Sequence, residues 1–229
     1  MAYNAVKENT RHILSYKDIT YPCEYVIRIF KGSYPTLNFD KTSYAGKKIL
    51  DMGCGDGRNI ILFKQLGFKV YGAEIGQEIV DKIKSNLYKQ GVNGVIIKVS
   101  TNDNICFSDN FFDYLLSWNE CYYMQGRRNF QKYVKEFARV MKPGGMLILS
   151  IPKKTSFIFK NSKKIAPGYQ SIKNDYFGSR NGEVFRIFRD EDEIKRSFSK
   201  YFKNFVFGSI NDNCFGLNYH WHMVVCQKK

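Results

Sequence analysis

Lys48-Ile49-Leu50-Asp51-Met52-Gly53-Cys54-Gly55-Asp56-Gly57-Arg58-Asn59 decides the fold. Its first five residues are a short apolar run stopped by glycines, the pattern of a buried strand. Glycines at 53, 55 and 57 permit a tight turn and let a ligand approach the backbone closely. Ile60, Ile61, Leu62, Phe63 and Leu66 then give the apolar side of a helix, whose first N–H groups have no partner within it. Lys69 to Ala73 is the next strand, and Glu74 stands at its end, 21 residues after Gly53. The helix N-terminus favours an electron-rich ligand, and a carboxylate at the second strand's tip accepts both hydroxyls of a ribose. The set describes a site for a nucleoside-type ligand. A nicotinamide dinucleotide site, with fingerprint G-x-G-x-x-G, would need its third glycine where Arg58 stands.

The alternation continues on both sides. Ile79, Val80, Ile83 and Leu87 have helical spacing, Val95 to Val99 is a third strand and Asp113 to Ser117 a fourth. Phe130, Tyr133, Val134, Phe137 and Val140 mark a helix that ends at the Lys142-Pro143-Gly144-Gly145 turn, before a fifth strand from Met146 to Ile151. Strands alternating with helices predict a parallel sheet covered on both faces, with ligands bound at the carboxyl ends of its strands. The rhythm breaks after residue 151. Residues 153–180 carry seven basic side chains against one acid, and 153–185 is expected to be a basic loop or cap insertion. A helix from about Asp190 to Phe202 and strands at Phe205 to Ile210 and Tyr219 to Cys226 complete the last segment, 186–229. Residues 1–46 read as a helical extension or lid with its apolar stripe at Tyr25, Val26, Ile29 and Phe30. One domain is expected over all 229 residues.

At Asp51 to Gly57 the chain resembles the class I, Rossmann-like S-adenosylmethionine-dependent methyltransferases, whose first motif reads D-x-G-C-G-x-G. Arg58-Asn59 and Gly67 to Gly72 look like the small-molecule branch, and Lys142-Pro143-Gly144-Gly145 matches again. The resemblance covers residues 45–152 well and the remainder loosely. It implies a three-layer α/β sandwich with a mostly parallel, seven-stranded sheet and an antiparallel last strand. It also implies that S-adenosylmethionine is the cofactor and S-adenosylhomocysteine the product. The backbone of Gly53, Cys54 and Gly55 would then face the amino-acid part of the cofactor, and Asp51 would order the turn. Glu74 would hold the ribose hydroxyls and Ile75 flank the adenine; Arg58 and Trp118 join this cofactor set. The third motif departs from the family: Thr101 stands where the adenine-contacting Asp is usual, and Thr101, Asn102 and Asp103 all remain open for that role. Tyr21, in a Tyr-Pro pair before the first apolar helix, is expected to line the pocket, and His12 belongs to the extension that caps it.

Methyl transfer needs a positioned nucleophile and, for a hydroxyl, a route for its proton. Residues Trp118 to Tyr123, after the fourth strand, are where acceptor groups should emerge. Glu120 is the only acid there and the candidate base, although an acid at a helix start is also simply solvated. Tyr122, where many relatives carry a histidine, is either a catalytic group or a pocket wall. His220 and His222 share one face of the terminal strand and read as structural. No Asn/Asp-Pro-Pro-Tyr motif follows the fourth strand, which argues against methylation of an exocyclic nitrogen in DNA. No carboxylate cluster suggests a metal-dependent catechol-type enzyme, and no metal site is expected.

The formal charge of +15 favours anionic partners, or reflects a general richness in lysine. The six cysteines form no C-x-x-C pair and read as reduced thiols in a cytoplasmic protein; no signal peptide or membrane span is visible. The acceptor expected is a small polar molecule, phosphorylated or sugar-type, methylated on oxygen, with surface-glycan biosynthesis as one setting. An RNA methyltransferase and a non-catalytic cofactor-binding subunit are the alternatives. The sequence shows no RNA-binding signature and leaves the oligomeric state open.

Overall fold

The computed structural model describes residues 21–37, 39–124 and 129–229. Seven strands form one sheet: β1 (Lys48–Met52), β2 (Lys69–Glu74), β3 (Ile96–Val99), β4 (Phe112–Ser117), β5 (Met141–Pro152), β9 (Phe202–Cys214) and β10 (Leu217–Lys228), in the order β3-β2-β1-β4-β5-β10-β9. The first five are parallel, and β10 runs antiparallel to both neighbours. The three-layer, Rossmann-like architecture with an antiparallel last strand is therefore the observed one. The strand order reverses between β1 and β4, so their carboxyl ends open a crevice at the switch point.

Helix α1 (Glu24–Lys31) buries Val26, Ile29 and Phe30. Phe30 enters an aromatic cluster with Phe39, Tyr44, Phe63, Phe68 and Tyr114, its ring centroids 5.0 to 6.2 Å from theirs. The Tyr25 hydroxyl donates to Asp212 Oδ2 of β9 at 2.5 Å, and Cys23 N donates to Asn59 Oδ1 at 3.1 Å. The start of α1 is thus tied both to the far edge of the sheet and to the glycine turn. Helices α2 (Arg58–Gln65), α3 (Gln77–Lys89) and α4 (Phe130–Val140) follow the predicted periodicities, because each places its apolar stripe on the sheet. Among the described residues no helix is long and apolar enough to cross a membrane, and the six cysteines are all free thiols.

Three local expectations are corrected. The predicted turn at Lys142 to Gly145 lies inside β5, as a bulge: Phe112 pairs with Met141 but Tyr114 with Met146. The predicted helix from Asp190 to Phe202 stops early, as α5 (Glu191–Phe198). Asp190 caps it by accepting from Glu193 N at 2.7 Å, while Phe202 already opens β9. Strands β9 and β10 are longer than read and join through a two-residue turn, Phe215-Gly216, in which both residues have positive φ. That is the turn geometry whose twist matches a hairpin. The basic cap is not a loop. Strands β6 (Lys163–Ala166), β7 (Tyr169–Ser171) and β8 (Val184–Arg186) form a small antiparallel sheet of their own, and β8 sits against the loop after β4 through a Tyr123–Phe185 bridge.

Candidate active site

The glycine turn after β1 is held from below. Gly53 N and Cys54 N both donate to Ala73 O of β2, at 2.9 and 3.2 Å. The Cys54 thiol points down onto β2, where a Cβ at Gly72 would lie 3.0 Å from its sulfur. Gly53 and Gly55 have φ of +68° and +58°, and their surroundings differ. A Cβ at Gly55 would meet nothing within 4 Å, so the turn presents bare backbone to open space there. A Cβ at Gly53 would fall 2.1 Å from Glu120 Cγ, so the Glu120 side chain lies directly across the turn. The next helix is capped by its own loop: Asp56 accepts from Arg58 N at 3.2 Å and grips the Arg58 guanidinium at 2.8 and 2.9 Å. Arg58 therefore secures the turn.

Glu74 closes the other side. Its Oε2 accepts from Gly55 N at 2.9 Å and its Oε1 from Ile75 N at 3.0 Å. Two backbone donors fix the carboxylate while lone pairs remain on each oxygen, which is what a pair of ribose hydroxyls requires. Burial raises the Glu74 carboxyl above its usual range against the pull of those two donors. Asp51, 1% exposed, is raised further by burial and by the charge of Glu74, and its Oδ2 has no hydrogen-bond partner. Glu120 completes the group. It accepts from Asn102 Nδ2 at 2.6 Å and from Ser117 Oγ at 3.2 Å, and burial, followed by Glu74, pushes its carboxyl up to about 8. Three acids around one bare turn repel one another, so the site attracts a cationic ligand. S-adenosylmethionine, with an ammonium, a sulfonium and a ribose diol, fits these residues.

The three third-motif residues point in different directions. Thr101 Oγ1 donates to Asp103 Oδ1 at 2.8 Å in an exposed turn. Asn102 is 2% exposed, reaches Glu120, and keeps a buried Oδ1 without a partner. The structure thus brings Asn102 to the site and turns Thr101 and Asp103 to each other. Trp118 is buried, beside the Cys23 thiol of the α1 entrance. Tyr21, expected to line the pocket, stands 92% exposed. His12 lies outside the described residues. Tyr122 is 1% exposed and burial raises its hydroxyl well above the ordinary range, which makes it a wall rather than a ready proton acceptor. His220 Nδ1 meets Thr155 Oγ1 at 2.9 Å, while burial lowers the buried His222 to about 4. Among the described residues no group of three or more His, Cys, Asp or Glu side chains is placed to hold a metal.

Residues 49–145 match a family model described as "Methyltransferase domain". The chain is 27% identical over 108 residues to the methyltransferase GfsG of Streptomyces halstedii, covering 46% of this chain and 38% of that protein. It is 25% identical over 148 residues to a probable tRNA methyltransferase 9B of Mus musculus, covering 64% of this chain and 31% of that protein. The match thus spans about a third of the length of these curated relatives. A solved SAM-dependent methyltransferase from Methanosarcina mazei superposes with a TM-score of 0.64 at 20% identity, over 86% of this chain and 98% of that one, which is a likeness of fold.

Proposed function

We propose, from the methyltransferase-domain match over residues 49–145 and the Rossmann-like fold, that the chain is a class I S-adenosylmethionine-dependent methyltransferase and that it methylates an oxygen of a small polar acceptor held over the carboxyl ends of β4 and β5. The observation that carries this is the pairing of a bare turn at Gly55 with a carboxylate, Glu74, pinned beside it by two backbone N–H groups. When bound, the cofactor supplies an electrophilic methyl carbon on a sulfonium. The chain's own residues do the remaining work. Gly53 to Gly55 and Glu74 fix the cofactor, Asn102 and Ser117 orient Glu120, and Glu120 lies across the turn where positive charge is to be held. The enzyme then acts mainly by holding the acceptor in line with the methyl group.

Calorimetric titration with S-adenosylmethionine and S-adenosylhomocysteine, on wild type and Glu74→Ala, tests the reading. Two hydrogen bonds to a charged acceptor, at roughly 1.5 kcal/mol or more each, make the expected loss about 100-fold. A thermal melt of the variant confirms that it is folded. Failure of the wild type to bind either ligand, or unchanged affinity in the variant, overturns the assignment.

A second reading, RNA as the acceptor, rests on one observation. A cleft of about 460 Å³ beside the small sheet is lined by Lys154, Lys164, Arg186 and Arg189, with Glu193 as its only acid. The same cleft suits a phosphate or acidic arm on a small acceptor. RNA affinity that falls steeply with salt would favour RNA, and salt-insensitive weak binding the small molecule.

A further inference from the structure

The chain leaves β4 through a backbone conformation that few residues adopt. Ser117 of β4 pairs with Leu149 of β5, so the residues that follow pass beside Ser150. Asn119 has φ of +59°, one of five non-glycine positions with positive φ among the described residues and the one that directly precedes Glu120. Left-handed backbone costs an ordinary side chain about 1–2 kcal/mol, and asparagine is one of the few residues that visit it. Such a conformation persists where its surroundings hold it, and it gathers at functional sites. The holder here is Ser150 of β5, 0% exposed. Its Oγ accepts from Asn119 N at 2.7 Å and donates to Asn119 Oδ1 at 2.9 Å. A hydroxyl buried in an apolar strand must find partners, and this one finds two on a single residue, gripping its backbone and its side chain together.

The residue that this clamp delivers is Glu120. The left-handed turn at Asn119 sets the direction in which the chain continues, and Glu120 then lies over the glycine turn, its Cγ 2.1 Å from where a Cβ at Gly53 would stand. There it accepts from Asn102 Nδ2 at 2.6 Å and from Ser117 Oγ at 3.2 Å, and its carbonyl accepts from Tyr123 N at 2.9 Å. Those contacts hold Glu120 itself; the Ser150 hydrogen bonds fix the residue ahead of it. The placement works against the acid. Its titratable neighbours are Glu74 of β2 and the Cys121 thiol, and burial, followed by Glu74, holds its carboxyl up to about 8. A carboxyl free to move would turn to solvent, where the charged form is favoured. The clamp restrains it from doing so.

We propose that Ser150 and Asn119 are positioning residues, a clamp that aims the Glu120 carboxyl across the glycine turn toward the positive charge of the cofactor. The proposal rests on the methyl-transfer reading and adds to it two residues that act through Glu120. The first test needs no ligand. Thermal melts of the full chain at pH 6 and pH 8 compare wild type with Ser150→Ala and Asn119→Ala, which break the clamp, and with Asn119→Gly, which reaches positive φ freely and keeps the backbone N–H for Ser150. Folding raises the Glu120 value, so the wild type loses stability as pH rises from 6 to 8. Glu120→Gln, melted alongside, gives the part of that loss that Glu120 carries, while Glu74 and Asp51 titrate in every protein and cancel. The two alanine variants should remove at least half of that part, and Asn119→Gly little of it. A contact that only supports the fold would lower the melting temperature equally at both pH values. The second test is calorimetry with S-adenosylmethionine and S-adenosylhomocysteine at pH 8. The alanine variants should lose at least three-fold in their preference for the more positive S-adenosylmethionine, and Asn119→Gly should keep it. The same pH dependence in wild type and alanine variants, or an unchanged preference between the two ligands, overturns the proposal while the cofactor assignment stands. A wild type that binds neither ligand is a separate result, and it removes the methyl-transfer reading together with the proposal.

Discussion

Glu120→Gln should stabilise the folded protein, and by an amount that grows with pH. The Glu120 carboxyl moves from 4.5 to about 8 on folding, chiefly through burial and secondarily through Glu74. The folded chain therefore holds this proton more tightly than the unfolded one. Stability from this group is greatest below the unfolded value, declines as pH rises from about 4.5 to about 8, and is level above that. At about 1.36 kcal/mol per pKa unit, and with the folded group half ionised at pH 8, the fall between pH 6 and pH 8 is about 2.3 kcal/mol. Glu120 is only part-buried, and solvent on the open side of the turn screens this to about 2 kcal/mol. Glutamine keeps both partners, accepting from Asn102 and donating to Ser117, and cannot ionise. The melting-temperature advantage of the variant should thus be about 4–8 °C larger at pH 8 than at pH 6 for a chain of this size. The other buried acids titrate in both proteins and largely cancel in the difference. Thermal melts of both proteins across pH 5 to 9, without ligand, measure it; a gap that stays constant across that range would refute the electrostatic account of the site.

Other outcomes follow from the same geometry. Gly55→Ala and Gly53→Ala carry a similar left-handed backbone cost of about 1–2 kcal/mol. Only the second also drives a methyl group into Glu120, so its melting temperature should fall further, while cofactor affinity measured by calorimetry collapses in both. A cationic cofactor should lower the Glu120 pKa, so binding at pH 7.5 releases protons in wild type and fewer in Glu120→Gln. Titration in two buffers of different ionisation enthalpy reads the difference. Phe215, fully exposed at the hairpin tip with φ of +48°, should be improved by Phe215→Asn, because an Asn-Gly turn suits both positive angles. A gain of up to about 1 kcal/mol in a denaturant melt is expected, with unchanged cofactor affinity.

Legibility in the sequence tracked how local the determinants are. The turn from Asp51 to Gly57 and the acid at Glu74 were readable because one strand–turn–helix–strand unit contains all of them. Even there the direction of side chains was not: Thr101, Asn102 and Asp103 are adjacent in sequence, and only the fold shows that Asn102 turns inward to Glu120. The small sheet of β6, β7 and β8 was invisible because its strands are three or four residues long, with nothing but Phe185 fully buried, so neither alternation nor an apolar run marks them. The packing of the loop after β4 and the cap against β10 was hidden for a different reason. Tyr122, Phe157, Arg180, Glu183 and Trp221 span 100 residues and become neighbours only when β10 inserts beside β5.

The position of β10 has a consequence for how the protein is made. Its two neighbours, β5 and β9, leave the ribosome earlier, yet neither has a partner on that side until β10 threads between them. Through that interval the long strand β5, apolar at Met146 to Leu149 and at Ile151, presents an open edge, the kind of surface that recruits other chains. Strands β1, β2 and β4 pair without β10, whereas Trp221 arrives with it. A nascent chain can therefore form the glycine turn and the strands around it while the edge of β5 is still uncovered. Chaperone demand and sensitivity to mutation in β10 should concentrate in that stage of assembly.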